Sequence, residues 1–373
     1  MKRYIYADNA ATTRLDEEAF EAIRQFSLDY FGNASQPYSF SRECQKALKD
    51  ARNTIAECIG ALPEELFFTS GGSESNNWAI KGSAFYHGKA RTIITSQIEH
   101  RSILNSCKFI KSLGYPVAYI SADSKGVIHP ENLKSLTASP SLVSIMMANN
   151  EIGSVQMIKN LAEIAHSKGA VFHTDAVQAV GHIPVDVREL GADILSASAH
   201  KFNGPKGIGF LYVKKGIPIY PLINGGQQEK SMRAGTENVA SIVAMAVALK
   251  KNCSDMKENS EKLLKLEKAF LDMLNSSAID FIRNGSENHI PGNVSVSFKC
   301  QSGEMLLHRL DLMGICISTG SACDSKETQI SHVLKAIGLP KKYAEGTIRV
   351  SFGKNNTIED AEKIAKSIVG IIG

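Results

Sequence analysis

Apolar strands alternate with helical stretches through the first two thirds of the chain, and this alternation limits the fold more than any other feature. Four stretches show it: "ELFFTSGGSESNNWAIKGSAF", "RTIITSQIEH", "LVSIMMANNEIG" and "LAEIAHSKGAVFHTDAVQ". Strands that are apolar on both sides, separated by helices, are typical of a parallel sheet covered on both faces. The sequence therefore predicts an α/β fold with a large domain, whose mainly parallel sheet is covered by helices.

A second, smaller domain is predicted at the C-terminal end of this 373-residue chain. Residues 236–275 are strongly helical with a polar break near 252–260, and the strands "NVSVSFK", "GICIST" and "GTIRVSFG" follow. We expect a large domain over 15–257 and a small α+β domain over 258–373, joined by an N-terminal segment, 1–14.

Charge and cysteine usage exclude several classes of function. The 42 basic and 38 acidic residues are well mixed, so a nucleic-acid or membrane-surface partner has little support. No signal peptide or membrane-spanning run is evident. The seven cysteines are scattered without a C-x-x-C pair, which favours free thiols in a reducing compartment over disulfides or a zinc site. A cytoplasmic protein without a metal is expected.

Polar residues follow the strands at their carboxyl ends, where open α/β sheets bind ligands. In "TSGGSESNN", Gly71 and Gly72 precede a helix, and the backbone N–H groups there, with the hydroxyl of Ser73, can form a phosphate cradle. An ordinary strand-to-helix turn with Ser73 as its N-cap is the alternative. Asp175 ends the strand in "HTDAVQ", and a buried carboxylate there needs a partner such as a protonated pyridine nitrogen. A helix-capping aspartate explains that segment equally well.

Two further strand ends carry reactive side chains. His100 in "IEHRS" is suited to stacking on an aromatic cofactor and carrying protons, against the alternative of a structural histidine, and Asn150 in "MANNEIG" offers an amide near the same edge. Lys201 in "SASAHKFNGPKGIG" follows an apolar strand, where a desolvated lysine can form a Schiff base with an aldehyde. Lys206 is the competitor, but it lies within the turn. Together these features describe a pyridoxal phosphate site.

These stretches resemble the cysteine desulfurases of the NifS/IscS type, within the class V aminotransferases of pyridoxal-phosphate fold type I. The resemblance also covers "YADNAATT", "GGQQEKSMRAGTEN", "STGSAC", "SHVLKAIGL" and "IRVSFG", so it spans nearly the whole chain. Two stretches depart from the family pattern, "GNASQPY" at 32–38 and "DSKETQISHVL" after Cys323.

The resemblance implies a role for each matching residue. Lys201 would hold the cofactor, Asp175 would pair with its ring nitrogen, and His100 would stack on the ring. Further cofactor and substrate contacts would come from Gln178 and Asn150 at the ring hydroxyl, Gly72, Ser73, Ser198 and His200 at the phosphate, and Arg349 with Asn150 at the substrate carboxylate. Thr236 would reach the phosphate of a neighbouring subunit, which implies a homodimer.

Cys323 in "STGSAC" decides the reaction that the resemblance implies. Gly320, Ser321 and Ala322 precede it without a bulky side chain, which suits a thiolate that must approach a substrate. We expect conversion of L-cysteine to L-alanine, with sulfur passed to Cys323 as a persulfide and then to an acceptor protein for iron–sulfur cluster assembly or tRNA thiolation.

Other enzymes and other classes of protein remain as alternatives. Another class V enzyme, an aminotransferase or a selenocysteine lyase, would share the cofactor site. A non-catalytic scaffold predicts loss of the reactive residue types, yet these are present. A dinucleotide-binding enzyme lacks its G-x-G-x-x-G after a first strand.

Overall fold

The structure is a computed structural model, and it describes residues 4–136, 140–319 and 330–373. In these ranges the strands are β1 Ile5–Tyr6, β2 Leu66–Thr69, β3 Thr92–Ser96, β4 Val117–Ile120, β5 Pro140–Ser144, β6 Val171–Asp175, β7 Ile194–Ser198, β8 Gly209–Val213, β9 Phe281–Asn284, β10 Asn293–Phe298, β11 Ile315–Cys316 and β12 Thr347–Ser351. The helices are α1 Glu17–Leu28, α2 Arg42–Cys58, α3 Gly72–His87, α4 Arg101–Ser112, α5 Pro130–Lys134, α6 Ile158–Ser167, α7 Val187–Leu190, α8 Val239–Ser254, α9 Met256–Asn275, α10 Gly303–Leu312, α11 His332–Ala336, α12 Lys341–Ala344 and α13 Ile358–Ile372.

The predicted mainly parallel sheet is confirmed. Seven strands pair in the order β2-β8-β7-β6-β5-β3-β4, and β8 alone runs antiparallel to its neighbours β2 and β7. Strands β2, β5, β6 and β7 are buried along their whole length, which explains why they are apolar on both sides. Because the parallel strands end at one edge of the sheet, the polar residues that follow them are brought together there.

A second core surrounds a three-stranded antiparallel sheet of order β12-β10-β9. Phe270, Phe298, Ile348 and Ile364 are fully buried in it, and each such side chain stabilises the fold by roughly 1.5–3 kcal/mol. The N-terminal β1 pairs with β11 beside this core.

The long helical stretch divides between the two cores at Asp255. Helix α8 buries Ile242, Met245 and Leu249 in the core of the large sheet, whereas α9 buries Phe270 in the core of the small one. Asp255 lies between the helices, inside the predicted polar break. The division of the chain after residue 257 stays a prediction.

No helix in the described ranges combines the length and the apolar character that crossing a membrane requires.

Candidate active site

A cavity of about 530 Å³ opens at the carboxyl ends of the parallel strands. Most of the residues predicted from the sequence meet in its wall: Gly72, Ser73, His100, Asn150, Asp175, Gln178, Ser198, His200, Lys201 and Arg349. Thr236 is exposed and lies away from this cavity, and Cys323 lies outside the described residues. Residues separated by up to 277 positions therefore share one site, because the sheet places successive strand ends side by side.

One end of the cavity is formed by the turn between β2 and α3. Gly71 has φ +142°, and a Cβ on Gly72 would lie only 2.6 Å from Val177 Cγ2, so both positions exclude a side chain. The backbone N–H groups at the start of the 16-residue α3 are free of a side-chain cap. Gly71 occupies the N-cap position, so Ser73 is not the ordinary N-cap considered above. This narrow, N–H-lined turn is suited to an anion.

Asp175 ends β6 with only 5% of its surface exposed. Its Oδ2 accepts a hydrogen bond of 2.6 Å from Asn76 Nδ2, and its Oδ1 accepts one of 3.0 Å from the N–H of Val177. Neither donor is a cation, so these bonds leave the negative charge of the carboxylate without a counter-charge. A buried carboxylate of this kind is suited to a cationic partner in the cavity.

His100 caps a helix and also lines the cavity, so the structural role is observed and the cofactor role stays a prediction. It is the N-cap of α4, and its Nδ1 accepts from the N–H of Ser102 at 3.2 Å. The proton of the neutral ring is then on Nε2. The pKa of His100 is lowered, first by loss of water around the ring against the cavity wall; Asp175 opposes this, and Lys201 and Arg101 add to it. The ring is therefore neutral near pH 7.

Hydrogen bonds link His100 to Asp175 across the floor of the cavity. Ser102 Oγ lies 2.8 Å from His100 Nδ1 and accepts a hydrogen bond of 2.9 Å from Asn76 Nδ2, the same nitrogen that bonds to Asp175. Asn76 and Ser102 thus fix the two predicted cofactor contacts relative to each other.

Lys201 is held above the cavity floor by the N-terminal segment. Its Nζ donates to the carbonyl oxygens of Ala10 and Ala11, at 2.6 and 2.8 Å. Its own carbonyl accepts from Nε2 of the half-buried His182 at 2.8 Å, which holds the backbone in place. Lys206, the other candidate lysine, is exposed at the cavity mouth.

The remaining contacts of the cavity wall also involve the N-terminal segment. Gln178 Nε2 donates to the carbonyl of Ala10 at 2.9 Å, and His200 Nδ1 lies 3.1 Å from Thr12 Oγ1. Burial, reinforced by Lys201 and Lys206, lowers the pKa of His200 to about 4. His200 is therefore neutral at physiological pH and acts as a hydrogen-bonding group rather than a cation.

Arg349 reaches the cavity from β12 of the small sheet, with 4% of its surface exposed. Its guanidinium donates to Asp8 Oδ1 at 2.6 Å and to the carbonyl of Asn150 at 2.8 Å. The Nε atom is buried without a hydrogen-bond partner in the described ranges. Such an unmatched donor at a ligand cavity is expected where a further acceptor binds.

Two residues with buried carboxyl groups, Glu99 and Glu151, lie beside the site and contact Ser331 and His332. Glu151 Oε2 accepts a 2.5 Å hydrogen bond from Ser331 Oγ, and burial raises the pKa of Glu151 to about 7. The carbonyl of Glu99 accepts from Nε2 of His332 at 2.9 Å. Burial also raises the pKa of Glu99, to about 8.

Several residues of the site were not predicted from the sequence: Asp8, the carbonyls of Ala10 and Ala11, Glu74, Asn76 and Ser102. Asn76 stands four residues after Gly72 on the same helix, so the helical repeat is a signal that points toward the site. Asp8 gave no such signal, because its partner Arg349 is 341 residues away.

The family assignment follows from comparison with known proteins. The family model Aminotransferase class-V matches residues 5–364. The chain therefore belongs to the class V aminotransferase family, whose members imply a pyridoxal phosphate cofactor.

Named relatives and solved structures show which proteins the chain resembles. The chain is 48% identical to "Cysteine desulfurase IscS" of Dictyoglomus turgidum, over 96% of this chain and 92% of that protein. It is 42% identical to "Cysteine desulfurase IscS" of Methanosarcina thermophila, over 99% and 92%. Among solved structures it resembles a "NIFS-LIKE PROTEIN" (TM-score 0.93, 37% identity, 99% of each chain) and "SspA in complex with cysteine" (TM-score 0.85, 35% identity, 95% and 100%).

Proposed function

We propose that this protein is a pyridoxal-phosphate-dependent cysteine desulfurase, which converts L-cysteine to L-alanine and passes the sulfur to Cys323 as a persulfide. The observation that carries the proposal is the meeting of Lys201, the buried Asp175 and the partly unmatched Arg349 in one cavity. The names of the relatives support the same reaction.

The residues of the cavity fit the proposed cofactor. The turn at Gly71 and Gly72 excludes side chains and brings the N-terminus of α3 to the cavity, where a phosphate would bind, and Asp175 would offer its carboxylate to the ring nitrogen. Ser73, Ser198 and His200 would complete the phosphate site, and Gln178 and Asn150 would contact the ring hydroxyl. When bound, the cofactor supplies an electron sink for bonds at the substrate Cα and Cβ.

Arg349 would bind the carboxylate of L-cysteine through two parallel N–H···O bonds. In the part of the chain that the structure describes, one of its terminal nitrogens contacts Asp8, while Nε has no hydrogen-bond partner. The substrate carboxylate would use Nε and share or replace the contact with Asp8. The substrate is thereby oriented between Arg349 and Lys201.

Lys201 and His100 would handle the protons. Once its Nζ is unprotonated, Lys201 can accept the proton from the substrate Cα, and the carbonyls of Ala10 and Ala11 hold that nitrogen in place. His100 is neutral with its proton on Nε2, so it can exchange a proton with the thiol groups or with Cβ.

Cys323 would act as the sulfur acceptor within the chain. Its thiolate attacks the substrate sulfur, the Cβ–S bond breaks with its electron pair left on carbon, and a proton at Cβ completes alanine. A sulfur-acceptor protein, in iron–sulfur cluster assembly or tRNA thiolation, would then collect the persulfide. The proposal includes a homodimer, in which Thr236 reaches the partner's phosphate, and a cytoplasmic location.

The substitution Cys323→Ala tests the reaction class. We expect the variant to keep the visible absorption of the Lys201-linked cofactor and to lose sulfur transfer from L-cysteine to an added thiol. The matched control is Cys300→Ala, which removes an exposed cysteine. Sulfur transfer at an unchanged rate in Cys323→Ala would refute the proposed acceptor and point to another class V enzyme.

A further inference from the structure

The segment 225–238, "GGQQEKSMRAGTEN", contains an unusual turn. Three consecutive residues that are not glycine, Glu229, Lys230 and Ser231, have φ values of 46°, 59° and 66°. Each left-handed residue of this kind costs roughly 1–2 kcal/mol, so strong contacts must hold the turn in place. Thr236 follows the turn at an exposed position.

The first contact that holds the turn is a buried ion pair between Glu229 and Arg52 of α2. Only 4% of the Glu229 side chain is exposed. Its two oxygens accept from Arg52 at 2.5 and 3.0 Å, and Oε2 also accepts from the N–H of Phe68 in β2 at 3.0 Å. The Arg52 guanidinium lies over the Phe68 ring, 4.3 Å from its centre. Glu229 is thus fixed to β2.

The second contact is a two-pronged ion pair between Arg233 and Glu74 in the first turn of α3. The distances are 2.9 Å from Nε to Oε1 and 3.1 Å from the terminal nitrogen to Oε2. Glu74 Oε2 also accepts from the N–H of Ser70 at 2.8 Å. Burial opposes ionisation of Glu74, but the bonds from Arg233 and Ser70 prevail and lower its pKa.

The carboxylates of both ion pairs also accept from backbone N–H groups of one unit, Glu229 from Phe68 in β2 and Glu74 from Ser70 in the turn that follows. This turn, Ser70–Ser73, forms the anion cradle of the subunit's own cavity. Arg233 precedes Thr236 by three residues, a distance of at most about 11 Å along the chain. Thr236 therefore lies a short distance along the chain from residues that are themselves anchored to the cradle.

From these contacts we infer that Glu229 and Arg233 are positioning residues that link the two phosphate sites of the dimer: they fix Thr236, which serves the partner's phosphate, to the cradle of their own subunit. This inference rests on the proposed function, which supplies the cofactor and the dimer. It predicts that disturbing the turn in one subunit weakens cofactor binding in the other.

Mixed dimers test this prediction directly. One subunit carries Lys201→Ala, so that only the other subunit can form the Lys201-linked cofactor that is counted by visible absorbance. Glu229→Gln is then placed on the Lys201→Ala subunit (in trans) or on the intact subunit (in cis). We expect the dissociation constant of added pyridoxal phosphate at the intact site to rise about tenfold in trans, equal to about 1.4 kcal/mol. In cis, less than a threefold rise is expected.

Two companion variants and one control make the outcome interpretable. Thr236→Ala in trans should reproduce the Glu229→Gln effect, because it removes the contact that Glu229 positions. Arg233→Gln, which breaks the second ion pair, should also act in trans and serves as a second test if Glu229→Gln fails to fold. Glu258→Gln changes an exposed carboxylate on α9 and should alter neither arrangement. Thermal unfolding of each dimer checks its integrity.

The outcomes separate the inference from the proposed function. A larger rise in cis than in trans would overturn the inference, since Glu229 would then support only its own strand. An unchanged constant in both arrangements would overturn it as well. If the unmutated protein formed no Lys201-linked cofactor, the proposed function itself would fail before any variant was compared.

Discussion

The two sides of the cavity are built in different ways. One side consists of strand ends and a helix start within the large sheet, and each contributes residues that are close to one another in sequence, such as Gly72 with Asn76 and Ser198 with Lys201. The other side consists of Arg349 from the small sheet, which contacts Asp8, and of the carbonyls of Ala10 and Ala11, which contact Lys201. Each of these contacts joins residues at least 190 positions apart in the sequence. The first side is suited to holding a cofactor, whereas the second is suited to recognising a substrate and placing the lysine.

We therefore expect substitutions on the two sides of the cavity to have different effects. Changes on the large-sheet side are expected to abolish cofactor binding or chemistry. Changes on the Arg349 side are expected to weaken substrate binding or stability while the cofactor stays bound. The following predictions test this comparison, beginning with the largest effect.

Lys201→Ala should reduce L-cysteine turnover by at least about 1,000-fold, because it removes both the cofactor linkage and the proton acceptor. The measurement is alanine formation together with the visible absorption of the purified protein. Lys206→Ala is the comparison variant and should keep the linked cofactor. Loss of the linked absorption in Lys206→Ala but not in Lys201→Ala would reverse the assignment.

Arg349→Gln should raise the KM for L-cysteine by about 100-fold, because the substrate carboxylate loses a two-pronged ionic contact. The absorption of the bound cofactor should be unchanged. Steady-state kinetics provide the measurement, and Arg309→Gln on the exposed face of α10 is the control. An unaltered KM in Arg349→Gln would show that this side of the cavity does not bind the substrate carboxylate.

Asp8→Asn should lower stability more than it alters kinetics. It keeps an acceptor oxygen but removes the negative charge that pairs with the buried Arg349 guanidinium, at a cost of about 1–3 kcal/mol, because Asp8 itself is partly exposed. The Tm should fall by several degrees, while the KM for L-cysteine rises less than in Arg349→Gln. A KM increase as large as that of Arg349→Gln would show that Asp8 contacts the substrate instead of supporting the arginine.

Glu99→Gln should change the pH dependence of stability. The folded-state pKa of Glu99 is about 8, above the value near 4.3 of an unfolded chain, so the folded protein holds this proton more tightly. The stability that this group contributes is fully present below the pKa of the unfolded chain, and it is lost as the pH rises toward the folded-state pKa of about 8. The Tm advantage of Glu99→Gln over the unmutated protein should therefore be larger at pH 8.5 than at pH 5.5.

Glu258→Gln, at an exposed position, provides the reference for that titration. An identical change in Tm at both pH values for Glu99→Gln would mean that Glu99 is ionised in the folded protein.

Most of the large-sheet side could be predicted from the sequence, because each strand end carries its own local signal. The glycine pair before a helix, the aspartate after an apolar strand and the lysine before a glycine turn are all visible in short stretches. The role of His100 was harder to predict, because the same ring both caps α4 and lines the cavity.

The Arg349 side was only partly predictable. Family resemblance pointed to Arg349, but neither Asp8 nor the carbonyls that hold Lys201 carried a signal of their own. These contacts depend on how the N-terminal segment packs between the two sheets, and local spacing does not encode such long-range pairing. The strained turn at Glu229 was missed for a related reason: its left-handed residues are not glycines.

The most direct test of the account is mass spectrometry of the purified protein after a single addition of L-cysteine, with alanine measured in solution. The account predicts one extra sulfur atom on the peptide that contains Cys323, together with an equal amount of alanine. Alanine or another product without added sulfur on Cys323 would contradict the proposed desulfurase reaction.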